Sequence, residues 1–178
     1  MRRTLIFIGL LSSFTFIACK NDKSNQQIDL DKENVAKEEI QANTENLKLN
    51  FKTDEQYNLA HLYFDLKDAL VKSDTYSAKK IAEIMVKYFK DEKQVKLAQQ
   101  IIKNENDIET QREAFYALSQ NFDTIFSENI TAGKLYKQYC PMAFNNEGGF
   151  WFSEEKEIMN PYFGDKMLHC GSIQKTIK

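Results

Sequence analysis

From Asn50 to Ala132 the chain contains neither glycine nor proline, while apolar side chains recur at helical spacing. Such a span has no residue that breaks a helix outright and none that takes positive φ at low cost. With that spacing it reads as helices joined by short connections of ordinary residues. Thr53-Asp54-Glu55-Gln56 has the form of a capping box, a hydroxyl followed three residues later by Gln. After it Leu59, Leu62, Tyr63, Leu66 and Leu70 define one helical stripe. Ser73-Asp74 ends that helix and can cap the next, in which Ile81, Ile84, Met85 and Tyr88 share a face. A short third helix carries Val95, Leu97 or Ala98, and Ile101 or Ile102. The fourth runs from about Asp107 to Phe126, with Ile108, Phe115, Leu118, Phe122 and Ile125 inward. Short connections favour antiparallel neighbours. His61 lies opposite the first stripe, with Tyr57, Phe64 and Asp68. Two aromatics there imply a covered face, with the C-terminal segment as a candidate cover; His61 itself is read as exposed or hydrogen-bonded.

Beyond Ala132 the composition changes abruptly. Five of the six glycines, both prolines and the single tryptophan lie between Gly133 and Gly171. "KLYKQYC" reads as a strand and "GFWF" as its partner across the "NNEGG" turn. "SEEKEIM" reads as one helical turn capped by Ser153, and "NPYFGD" as an ordered turn. Trp151, Tyr162 and Phe163 are expected to pack this segment onto the helices. The expected fold is mainly α: an antiparallel bundle of about four helices with a C-terminal irregular layer or short β-hairpin.

The first residues have another character. "MRRTLIFIGLLSSFTFIAC" places Arg2 and Arg3 before an apolar run that ends at Ala18-Cys19. That is the layout of a secretory signal peptide, and the run is short for a membrane span. A small residue before the cysteine resembles a bacterial lipobox, with Phe16 where Leu is usual. We therefore expect a lipoprotein signal peptide at 1–18, lipidation at Cys19, a polar tether at 19–50, and a helical domain with a Cys/Met-rich C-terminal segment at 51–178. The expected location is the bacterial cell envelope, lipid-anchored on the periplasmic face or in the outer membrane, a compartment that permits disulfides. The formal charge of −2, with no basic stripe, excludes nucleic acid as the expected partner.

Sulfur is concentrated in one place. Cys140, Cys170, Met142, Met159 and Met167 all fall in residues 139–171. Thiolates and thioethers are soft donors and favour Cu(I) among common biological metals. In extended chain Cys140 and Met142 point to the same side. Met167 and Cys170 are one helical turn apart. His169 could add a nitrogen. Zinc would account for the cysteines and His169 but not for the methionines. A second reading stands beside the metal: Cys140 and Cys170 as a structural disulfide, which in the chain-entropy model stabilises the fold by roughly 3–4 kcal/mol. The methionines are then core gap-fillers.

The motifs "YFDLKDALVKSD", "QREAFYALSQNF", "YCPMA" and "WFSEEKEIMNPYFGDKMLHCG" together resemble a family of bacterial envelope proteins catalogued as a domain of unknown function. The resemblance covers about residues 55–178. Members of that family stand alone, often as lipoproteins, or are fused to membrane-fusion components of heavy-metal efflux systems. Met159 stands where the pattern more often has a basic residue, and His169 stands at a variable position. The resemblance implies copper and silver handling, with a heavy-metal efflux component as partner.

The sequence shows no phosphate loop, nucleophile motif or acid/base pair, so a non-enzyme is expected. The leading expectation is a lipid-anchored protein that binds Cu(I) or Ag(I) through Cys140, Met142, Met167, Cys170 and His169. The alternative is a disulfide-stapled, non-catalytic adaptor that binds a partner in an efflux or envelope assembly.

Overall fold

The computed structural model describes residues 48–178. The signal peptide, Cys19 and nearly all of the tether expected at 19–50 lie outside the described residues. Four helices follow one another as expected: α1 (Asp54–Val71), α2 (Thr75–Met85), α3 (Glu92–Lys103) and α4 (Ile108–Asn129). Each helix packs on its neighbour in sequence, and α1 also packs on α4. Two small antiparallel sheets, a short helical turn at Ala143–Asn146 and a 3-10 turn at Gly164–Lys166 complete the described elements. β1 (Asn50–Phe51) pairs with β2 (Ile130–Ala132). A second sheet has the order β4-β3-β5, with β3 at Leu135–Cys140, β4 at Gly149–Ser153 and β5 at Ser172–Ile177. The protein is mainly α with a C-terminal β layer, the fold class read from the sequence.

Every one of these four helices starts on a side-chain cap. Thr53 Oγ1 accepts from the Gln56 N–H at 3.2 Å, and Asp74, Asp91 and Asp107 do the same for α2, α3 and α4. Hydrogen bonds from Ser77 and Thr110, side chain first and backbone second, hold the carboxyls of Asp74 and Asp107 below the usual aspartate range. Capping by an oxygen satisfies an N–H that the first turn leaves without a partner.

The lack of glycine has a visible consequence at the end of α1. Ser73 N donates to Leu70 O and Asp74 N donates to Ala69 O, the paired bonds of a Schellman stop. The left-handed position of that motif, usually glycine, is Ser73 with φ 55°. Its hydroxyl is held by Arg112 Nη2 at 3.0 Å.

The core is aromatic and shared by both layers. Tyr63, Phe115, Phe122, Phe126, Trp151 and Phe152 are fully buried. Tyr63 sits at the centre, within 5.3 Å ring-to-ring of Phe115, Phe122 and Phe126 and 6.2 Å from Phe152. Its hydroxyl lies 2.6 Å from Ser119 Oγ and accepts from the Phe152 N–H at 3.2 Å. Ser119 Oγ in turn donates to Phe115 O, so the Tyr63 proton points to Ser119. The chain of bonds ties the outer edge of β4 to α1 and α4. Burial pushes the Tyr63 phenol far above its ordinary range. As expected, Trp151 and Tyr162 are buried; Phe163 is half-buried.

Some expected details differ. The inward face of α2 is Ala78, Ala82 and Met85, with Phe89 beyond it; Ile84 is 42% exposed. Two alanines let α2 approach its neighbours closely, and the larger Ile81 and Ile84 are turned toward the rim. Phe126 rather than Ile125 is the fully buried residue near the end of α4. The segment after Ser153 bends without forming the helical turn expected there. Ser153 Oγ does accept from the Glu155 N–H at 3.1 Å. The carbonyls of Glu155 and Glu157, however, turn inward to the buried Gln138 amide, at 2.8 and 3.0 Å. Carbonyls engaged by a side chain across the layer do not close an α-turn.

His61 is half-buried, its ring 4.3 Å from Tyr57 and 6.0 Å from Phe64. The expectation of an exposed or hydrogen-bonded ring is corrected at one atom, because Nε2 is buried without a hydrogen-bond partner. Its face is covered by the chain entering the fold and by the end of α4: Lys48 lies over Tyr57, and Phe126 stacks on Phe64.

Candidate functional site

The two cysteines meet. Cys140 and Cys170, far apart in sequence, have their sulfurs 3.1 Å from each other. Cys140 ends β3, where it pairs with Gly149, and it is wholly buried. Cys170 lies two residues before β5 and is half-buried, so the pair has one sealed and one partly accessible sulfur. The hydrogen bond to Cys140 and then burial push the Cys170 thiol above its ordinary range. For Cys170 this is the opposite direction from the depressed thiol that marks an activated thiolate.

The segment between β4 and β5 is what delivers Cys170. Asn160 is fully buried and bonded through every polar group. Its N–H donates to Leu168 O at 2.8 Å, its Nδ2 donates to Cys170 O at 2.7 Å, its Oδ1 accepts from the Tyr162 N–H at 2.8 Å, and its carbonyl accepts from the Gly164 N–H at 3.1 Å. Cys170 N donates to Met167 O at 3.0 Å. Next along the chain, Gly171 passes so close to β3 that an added Cβ would lie 2.9 Å from Tyr139 O and 3.1 Å from the Trp151 ring. The "NPYFGDKMLHCG" motif thus builds a self-tied loop whose last turn presses Cys170 onto the end of β3.

The loop is anchored to the bundle by Arg112. Its Nε donates to Pro161 O at 2.9 Å, Nη2 to Leu70 O at 3.3 Å and to Ser73 Oγ, and Nη1 pairs with Glu109 at 3.0 Å. Gly164 fits against this cluster at φ 55°; a Cβ there would stand 2.9 Å from Val71 O and 2.8 Å from Ser73 Oγ. Left-handed backbone in a non-glycine residue and overpacking against a main-chain carbonyl both cost free energy. We expect Gly164→Ala to lower stability by about 2–4 kcal/mol. A urea midpoint unchanged from the parent would show that the loop yields at this point.

The other sulfur and nitrogen candidates are placed differently. The extended geometry expected for Cys140-Pro-Met142 is not adopted. The chain turns at Pro141-Met142, with Met142 at φ −91°, ψ −9°. Met142 is 47% exposed and lines a groove with Glu109, Glu113, Phe144, Asn145 and Phe163, whereas Cys140 is sealed inside. After it Phe144, Asn145 and Asn146 all take positive φ, a left-handed turn that leads through Gly148 into β4. Met159 and Met167 are half-buried. His169 is exposed, and its Nδ1 lies 2.9 Å from Ile158 O. That contact requires a proton on Nδ1, which leaves Nε2 of the neutral ring as the acceptor.

The two thiols are the donors shown to stand within reach of each other. Two thiolates on one ion, each at about 2.3 Å, stand about 3.8 Å apart in tetrahedral and about 4.6 Å apart in linear coordination. A disulfide closes to about 2.05 Å. The observed 3.1 Å lies between these states. Among the described residues no group of three or more His, Cys, Asp or Glu side chains could hold an ion. A four-coordinate zinc site of those residue types is thus not formed there, and two thiolates on one soft ion would have to stand further apart than the sulfurs do here.

Arg112, Asn160 and Gln138 were not singled out by the sequence, and Tyr63 was read only as one residue of the first apolar stripe. Only the repeated polar residues on otherwise apolar helix or loop positions could have marked them.

A family model described as "Protein of unknown function (DUF3347)" matches residues 59–132. The matched span covers most of α1, all of α2, α3 and α4, and β2, and it stops before both cysteines. No curated protein and no solved structure matches the chain.

Proposed function

We propose that this chain is a lipid-anchored envelope protein that binds a soft metal ion, Cu(I) or Ag(I), through the reduced thiols of Cys140 and Cys170. The observation that carries the proposal is the pair itself: two sulfurs 3.1 Å apart, one reachable from solvent, with no set of harder ligands around them among the described residues. Soft thiolates select Cu(I) and Ag(I), and two are enough for such an ion. Met167 and His169, on the same loop as Cys170, are the next donors along the chain. Met142 serves the neighbouring groove. The match to a family of unknown function over the helices is compatible with the resemblance noted from the sequence; the efflux partner is inferred from that resemblance alone.

A second reading is favoured by the sulfur separation, which is shorter than two thiolates on one ion would have. In that reading the pair is a disulfide and the protein a stapled, non-catalytic adaptor. Intact mass under non-reducing conditions, with and without added Cu(I), distinguishes them. A reduced protein that gains one copper supports the first. A protein isolated two hydrogens lighter that takes no copper after reduction supports the second.

The anchor has its own test. Arg2, Arg3, the apolar run and Ala18-Cys19 lead us to expect cleavage before Cys19 and acylation of that residue. Cys19→Ser should leave the protein unprocessed or released from membranes. Normal maturation and membrane attachment of this variant would refute lipidation.

A further inference from the structure

Among the side chains of the C-terminal layer, one holds the loop of Cys170 at both ends. We infer that Asn160 is the positioning residue of the cysteine pair: its amide sets the separation of the two sulfurs and so controls how readily they close on each other or on a metal. The inference rests on the reading of Cys140 and Cys170 as the working site.

The argument is geometric. Asn160 Nδ2 donates to the carbonyl of Cys170 itself at 2.7 Å, and the Asn160 N–H donates to Leu168 O two residues earlier. These two bonds fix the backbone on which the Cys170 sulfur hangs. Cys140 needs no such device, because it is wholly buried and paired with Gly149 of β4, at the end of a strand that β4 and β5 flank. The movable partner is therefore Cys170, and Asn160 is its tether. The tether is built to be rigid: Oδ1 is engaged by the Tyr162 backbone N–H and the Asn160 side chain is fully buried. An amide fits here because the site needs a donor on one side and an acceptor on the other. Aspartate supplies acceptors only and would face the Cys170 carbonyl with an oxygen.

Closure of the pair is a two-electron step. The two S–H bonds break, one S–S bond forms, and two protons and two electrons pass to the oxidant. With oxidised dithiothreitol as that oxidant, its cyclic disulfide opens to the dithiol. Two thiols held in place close far more readily than two that must search, so loss of the tether should disfavour the disulfide.

The experiment equilibrates the full-length protein with oxidised and reduced dithiothreitol and reads the fraction of disulfide. Asn160→Asp should lower the equilibrium constant for closure about tenfold, or about 30 mV for a two-electron couple. Tyr162→Phe loses the hydroxyl bond to Phe150 O but keeps the tie to Cys170, and should stay within about twofold of the parent. Equal constants for folded Asn160→Asp and the parent would overturn the inference, as would an equal loss in both variants. A measurement on the parent protein covers the case in which Asn160→Asp does not fold. The Asn160 side-chain amide resonances should shift when the pair is oxidised, while those of the buried Gln111 should not. Unmoved Asn160 resonances would overturn the inference. Neither readout uses copper, so a parent that binds no Cu(I) would sink the metal proposal and leave the role of Asn160 standing.

Discussion

Replacing Cys140 and Cys170 together by serine is expected to remove most of the Cu(I) affinity of the reduced protein. A hydroxyl is a hard, weakly coordinating donor, and no third ligand of the His/Cys/Asp/Glu type stands ready among the described residues. In competition with a moderate chelator, the parent should hold one Cu(I) and the double variant should lose it by two orders of magnitude or more, about 2.7 kcal/mol or greater. The parent should also bind more tightly as pH rises. Both thiols give up protons to the ion, and that of Cys170 is held above its ordinary range by the hydrogen bond to Cys140. Affinity should therefore still be climbing as pH rises toward the ordinary thiol range. Met142→Leu should leave affinity close to the parent value, since Met142 lies on the exposed groove, and a volume-conserving swap there costs less than about 1.5 kcal/mol of stability. Full Cu(I) binding by the serine pair would move the metal away from the cysteines. A large loss from Met142→Leu would bring back the sulfur cluster expected from the sequence.

The second large effect is expected at Arg112. Its side chain is 3% exposed, and it reaches three parts of the fold at once: Leu70 and Ser73 at the end of α1, Glu109 on its own helix, and Pro161 in the cysteine loop. Arg112→Ala leaves the Pro161 carbonyl and the left-handed Ser73 without their donor and opens a cavity beside Gly164. Removing one member of such a buried charged network destabilises by about 3–5 kcal/mol. That is a large share of the 5–15 kcal/mol typical of a whole domain. Arg112→Lys should recover only part of it, because an ammonium cannot span the fork of a guanidinium. Urea unfolding followed by tryptophan fluorescence measures this directly, since the single Trp151 is buried in the layer that Arg112 anchors. A loss under 1 kcal/mol would mean that the aromatic core alone holds the loop to the bundle.

The sequence by itself determined the helices. Capping residues sit where the chain must start a turn, and apolar side chains at helical spacing mark what must be buried; both are local rules. Thr53 and Asp74 could be read in advance for that reason, and the β3–β4 hairpin could be read from its flanking turn residues. Which face of α2 turns inward could not, because two small alanines permit a close approach that larger residues would block, and that is settled only by the neighbouring helices. The candidate site divides in the same way. Its sulfur content was legible as composition, but the expected grouping of Met142 with Cys140 assumed extended chain. The tertiary structure decided otherwise, since β3 ends at Cys140 and a turn carries Met142 out to the groove. The meeting of Cys140 with Cys170 depends on long-range contacts: Asn160 tying the loop, Arg112 anchoring it to α1 and α4, and Gly171 letting it lie against Tyr139 and Trp151. None of these is a property of a short window of sequence. Each is a hydrogen bond or close approach between residues that only the folded chain makes neighbours.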